Sequence, residues 1–174
     1  MTRHIELLRA SVKSVRQRHS FTIHGWVVLP EHLHCVIELP PGDSDYATRW
    51  RLIKMDFSKA LPHTERISDV RLRRGERGIW QRRYWEHLIQ DERDYAAHMD
   101  YVHINPVKHG LVRSVAGWPF QPFTVWSRKE FTQRIGREGM RWAWDMTIKC
   151  GAMSVGYCTL HILETKARHI SPLN

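Results

Sequence analysis

The sequence predicts an α+β fold, with helices packed on an antiparallel sheet in the chain order α-β-β-α-β-α. Apolar residues recur at helical spacing near the N-terminus and again in the 40s–50s and 90s. Between them lie two short β-branched runs, FTIHGWVVLP and HLHCVIELP, separated only by a Pro30-Glu31 break. In order, Ile5, Leu8, Val12 and Val15 define one face of a first helix, with Lys13, Arg16 and Arg18 outside it. The two β-branched runs follow as an antiparallel hairpin, stopped by Pro40-Pro41-Gly42. Asp43, Ser44 and Asp45 supply start chemistry for a second helix carrying Trp50, Ile53 and Phe57. Residues 62–78 hold Pro62, Gly75, Gly78 and five arginines, and read as a basic loop. GIWQRRYWEHLI reads as a third strand. Asp91 caps a helix expected to end near Ile104, because a residue before proline, here Asn105, is steered out of helical geometry. Gly110 and WPFQPF mark an irregular exit. Beyond about Ser127 the pattern weakens, with VGYCTLHIL the one further strand candidate.

With 27 Lys+Arg against 18 Asp+Glu among 174 residues, the net charge is +9, which favours polyanionic partners and nucleic acid first. An apolar fraction of 42% supports a packed core. Cys35, Cys150 and Cys158 show no C-x-x-C spacing, so neither a disulfide framework nor a thiolate zinc site is expected, and a reducing cytosol fits. The N-terminus has no apolar signal core, and no stretch has the length of a transmembrane helix, so no membrane partner is expected.

Three constellations carry chemistry. In His32-Leu33-His34 strand alternation projects both imidazoles from one face, where they can chelate a divalent cation, while Leu33, Cys35, Ile37 and Leu39 line the other. The pattern alone is weak: twelve histidines in 174 residues give roughly one such pair by chance. Tyr101 and Asn105 are spaced i,i+4 on one helix face. The apolar stripe of that helix is Tyr95, Met99 and Val102, and Tyr101 lies roughly 120° from Tyr95, among Asp94, His98 and Asn105. A phenol on such a polar face is expected to be accessible for reaction. Arg71, Arg73, Arg74, Arg77, Arg82 and Arg83, with Trp80, Tyr84 and Trp85, combine phosphate-gripping forks with rings that accept bases.

Together, GWVVLPEHLHCVIELPPGD, TRWRLIKMDFSKAL, GIWQRRYWEHLIQDERDYAAHMDYVHINPVKHGLV and GWPF resemble the REP-associated tyrosine transposases, within the HUH single-tyrosine transposases. The pairing of P-x-H-L-H with a distant Y-x-x-x-N-P-V-K-x-G carries the resemblance, which runs over roughly residues 4–123. The resemblance implies that His32 and His34 are metal ligands, Asn105 a third amide-type ligand, and Tyr101 the nucleophile. It implies Mg²⁺ or Mn²⁺ as cofactor and single-stranded or hairpin DNA, of repetitive extragenic palindrome type, as substrate. Lys108 of the same run joins the arginines and Trp80 as a candidate DNA contact. No role is carried over for Trp85, Glu86 and His87.

The implied activity is metal-dependent cleavage and strand transfer through a 5′-phosphotyrosine, in a bacterial cytoplasm beside the nucleoid, by a monomer or homodimer. The alternatives are a catalytically inactive relative that only holds hairpins and a basic structural or RNA-binding α+β protein with incidental histidines. The implied fold is a ferredoxin-like sheet lacking its usual first strand, since the chain begins at the first helix. That strand is interior, so its loss is expected to expose strand edges and remove core, unless the start is misassigned or another segment fills the gap; a decayed copy is the other reading. Residues 1–128 are assigned to the transposase domain and 129–174 are left as an unassigned extension.

Overall fold

The computed structural model describes residues 1–63, 65, 67–81 and 83–120, together with the backbone of 160–166. Strand β1 (Thr22–Val28) pairs antiparallel with β2 (His32–Glu38), in a register that sets Trp26 opposite Cys35 and Val28 opposite Leu33. The ladder slips by one residue between Ile23 and Gly25, leaving His24 as a bulge. Alternation along both strands then divides their side chains between two cores. Trp26, Val28, Leu33, Cys35 and Ile37 pack with Leu8, Val12 and Val15 of α1 (Ile5–Arg18) and with Trp50, Ile53 and Phe57 of α2 (Tyr46–Ala60). Val27 and Val36, from the opposite face, pack with Met99 and Val102 of α4 (Glu92–Lys108) and with Trp118. The sheet is therefore sandwiched between α1/α2 and α4. Leu8, Val15 and Leu33 are fully buried, and each such side chain contributes about 1.5–3 kcal/mol.

The start signals act as the sequence suggests. Asp45 accepts from the Thr48 amide at 3.0 Å and Asp91 from the Asp94 amide at 2.8 Å, so both helices begin with an acidic cap. Three expectations are corrected. The loop at 62–78 contains a short helix, α3 (Asp69–Arg73). The third strand, β3, is only Trp85–Leu88, because residues just before it are anchored on the helical layer: Ile79 is buried, and the Trp80 indole donates to the Lys54 carbonyl. Helix α4 does not stop near Ile104 but runs through Pro106 to Lys108, keeping Asn105 helical. Proline costs the turn one N–H donor. The amides of His109, Gly110 and Leu111 still close on Asn105, Val107 and Pro106, and Gly110 takes the left-handed conformation (φ 67°) that ends the helix.

The interior slot left without a first strand is filled by another segment of the chain. Strand β4 (Leu160–Lys166) lies between β2 and β3, antiparallel to both, giving the sheet order β1-β2-β4-β3. A strand from the 129–174 segment thus occupies the position where the ferredoxin-like pattern requires its first strand. The predicted strand VGYCTLHIL overlaps β4 in part, and its residues 155–159 lie outside the described residues.

Candidate active site

Strand β2 carries His32 and His34 toward α4, as alternation demands: His34 and Val36 face that helix, while Leu33 and Cys35 face α1 and α2. The His32 and His34 rings lie edge to face, with centroids 5.0 Å apart, and His34 is only 1% exposed. Against it stands Tyr101 of α4, its ring centroid 5.2 Å from that of His34 at an interplanar angle of 84°. One turn on, the Asn105 Nδ2 donates to the Tyr101 carbonyl at 3.1 Å. The Asn105 Oδ1 is buried without a hydrogen-bond partner among the described residues. Lys108 sets its ammonium 5.1 Å from the Tyr101 ring centroid, and the His109 ring closes the far side, 5.0 Å from His32.

The polar face of α4 therefore does not look simply outward. His98 and Asn105 are buried and Tyr101 is half-buried at the rim of the second core, contrary to the open face expected from the helical wheel. Helix α4 approaches β1 so closely at Gly25 that a Cβ there would meet the Met99 sulfur at 2.8 Å.

The donor set suits a divalent cation. Two imidazoles and an amide oxygen are acceptable ligands, and an unbonded buried carbonyl oxygen is costly unless something positive meets it.

A second group was not read as a site from sequence. His87 of β3, with Asp94 and His98 of α4, places its ligand atoms within 4.8 Å of one another, and such a group could hold a metal ion. The Asp94 Oδ2 lies 2.7 Å from the His87 Nε2, and its Oδ1 lies 2.9 Å from the His98 Nδ1. The i,i+4 spacing of Asp94 and His98 was a signal for it. On the opposite face of β3, Glu86 accepts from the Tyr46 hydroxyl at 2.5 Å. That bond, aided by burial, pushes the Tyr46 phenol up to about 12.

The basic constellation divides. Arg73, Arg74 and Arg83 are exposed, as is Lys108, and Arg71 is half-buried, with its guanidinium in the space a Gly78 side chain would fill. Arg77 is not a surface cation. Its guanidinium pairs with Glu65 and donates to the carbonyls of Ser58, Leu61 and Pro62, so it ties the loop to the end of α2. Nor is Trp80 an open platform, since its ring packs on Phe57 and its indole bonds the Ser58 hydroxyl at 2.9 Å. Arg82 lies outside the described residues. A groove of about 620 Å³ runs along α1 past Val12, Phe21 and Trp26; the histidines do not line it, and it contributes nothing to this chemistry. Among the described residues, no helix is long and apolar enough to cross a membrane.

No protein-family profile matches the chain. It is 44% identical over 123 residues to the REP-associated tyrosine transposase of Escherichia coli (strain K12), covering 71% of this chain and 67% of that one. It is 40% identical over 124 residues to a putative REP-associated tyrosine transposase of Haemophilus influenzae, covering 71% and 70%. A solved structure of a REP-associated tyrosine transposase bound to a REP hairpin superposes with a TM-score of 0.60 at 37% identity, over 90% of this chain and 81% of that one.

Proposed function

Since the chain belongs to the REP-associated tyrosine transposases, enzymes that cut and rejoin DNA, we propose that it cleaves and transfers single strands of palindromic hairpin DNA with Tyr101 as its nucleophile. The relative of known structure is bound to a REP hairpin, and a hairpin of that class is the substrate proposed for this chain.

One observation carries the reading: the Tyr101 ring centroid stands 5.2 Å from that of His34, and a buried Asn105 oxygen lies one helical turn along. His32, His34 and Asn105 would hold the cation, Mg²⁺ or Mn²⁺, which when bound polarises the phosphate and stabilises the departing oxygen. The Tyr101 hydroxyl attacks phosphorus, the bond to the 3′ oxygen breaks, and the phenolic proton ends on the released 3′-hydroxyl. The product is a 5′-phosphotyrosine, and attack by another 3′-hydroxyl reverses the step. The ester bond is conserved throughout, so no ATP is needed. An ordinary phenol titrates near 10 and needs help to react at neutral pH. The Lys108 ammonium at its ring supplies positive charge. The exposed Arg73, Arg74 and Arg83 grip the backbone of the DNA.

The test is a hairpin oligonucleotide with single-stranded flanks, incubated with Mn²⁺ or Mg²⁺ and resolved on a denaturing gel. A protein–DNA adduct is expected that disappears in EDTA and in Tyr101→Phe. Hairpin binding with no adduct in either metal would instead support an inactive hairpin binder.

A further inference from the structure

We propose that Trp85, steadied by His87 and His98, is a stacking platform for an unpaired base of the DNA strand beside the phosphate that is cut. The inference rests on the reading of Tyr101 as the nucleophile. Three rings meet on the α4 side of β3 with their planes nearly parallel. Trp85 and His87 are 5.9 Å apart at 9°, Trp85 and His98 are 6.2 Å apart at 24°, and His87 and His98 are 4.7 Å apart at 21°. The group becomes more exposed from helix to strand: His98 is buried, His87 half-buried, and Trp85 42% exposed. The open part of the indole leaves an aromatic face at the surface on which a base can stack.

Asp94 fixes the rings by giving one carboxylate oxygen to each imidazole, at 2.7 and 2.9 Å, while the Gln90 amide donates to it at 2.9 Å. The geometry suits a clamp better than a metal cage. The lone pairs of imidazoles lie in the ring plane, and two rings inclined by only 21° direct them side by side, not toward a common point.

The platform also lies within reach of the reaction centre. Trp85 pairs with Glu164 of β4, and Glu164 pairs with His34 of β2, so two strand spacings separate Trp85 from His34, roughly 10 Å. On α4, His98 precedes Tyr101 by three residues, on a neighbouring face. A nucleotide held on Trp85 would be within one or two positions of the scissile phosphate, with the exposed Arg83 beside it for the backbone. Every base has a π face, so such a contact accepts any sequence. It would fix the strand without choosing it.

The experiment measures equilibrium binding in the Tyr101→Phe background, with abasic sites walked one at a time through the single-stranded flanks of the hairpin. In this parent an abasic site at one flanking position should raise Kd about ten-fold, as stacking on an aromatic ring predicts. In Trp85→Ala that site should make no difference, and Trp85→Tyr should restore most of it while showing that the fold is intact. The inference is overturned if no flanking position shows the effect. It is also overturned if Trp85→Ala keeps the effect, or if titrated Mn²⁺ binds a group lost with His87→Ala. Failure of the Tyr101 reading registers separately, as an adduct that persists in Tyr101→Phe.

Discussion

Removing the Arg77 guanidinium would take away the cation paired with Glu65, in a site where both side chains are only 14% exposed. Arg77→Ala should therefore lower stability by about 2–3 kcal/mol, measured by urea denaturation, and leave the salt dependence of DNA binding unchanged. Arg73→Ala or Arg74→Ala should do the reverse, keeping stability while reducing the salt slope by about one phosphate each. Tyr46 allows a pH test. Its folded pKa, about 12, lies above the ordinary value of 10, so folding holds that proton more tightly. The Tyr46–Glu86 bond therefore adds stability fully below pH 10 and loses it between 10 and 12. Thermal melts across that window should show the loss in the wild type, with a smaller alkaline step in Tyr46→Phe. At residue scale the sequence exposed what periodicity controls, namely the common face of His32 and His34 and the i,i+4 pairing of Tyr101 with Asn105. It could not separate Arg77 from Arg73 and Arg74. All three sit in one basic run, and only the fold folds back Glu65 and three carbonyls around one of them.

Helix α4 is the element that decides whether nucleophile and ligands meet, and Gly25 in β1 sets how near it comes. Gly25→Ala should cost about 1–3 kcal/mol, because the added methyl meets the buried Met99 sulfur and either that side chain repacks or α4 shifts. A shift of that turn also carries Tyr101, so adduct formation should fall more than hairpin affinity; equal losses would show that the helix position does not govern the chemistry. Elements with local signals were legible: the α1 stripe, the β1–β2 hairpin and the Asp45 and Asp91 caps. The extent of α4 was not. The rule for residues before proline is a local bias, and burial of Asn105 and Pro106 against the sheet overrides it at the end of this helix. The contraction of the third strand has a similar cause, since the Trp80 side chain is anchored on α2.

At the scale of the whole molecule, the sheet is closed by a strand more than a hundred residues from the hairpin it joins. Such pairing leaves almost no local trace, which explains why the segment filling the interior slot was not identifiable and read only as an isolated candidate strand. Because β4 is bonded on both sides, Ile162→Pro should cost at least about 3 kcal/mol by removing a ladder donor, and should promote aggregation through the exposed edges of β2 and β3. Light scattering and thermal melts would detect both. An unchanged melt would mean that β2 and β3 hold their places without β4. The sheet in turn brings a strand histidine pair and a helix tyrosine onto one face, and every catalytic claim depends on that meeting. The most direct test is to trap the covalent adduct on a flanked hairpin with Mn²⁺, digest it, and locate the nucleotide-bearing residue by mass spectrometry. A 5′-phosphodiester on Tyr101 is expected; a nucleotide attached to Tyr95 or any other residue, with cleavage undiminished in Tyr101→Phe, would overturn the proposed chemistry.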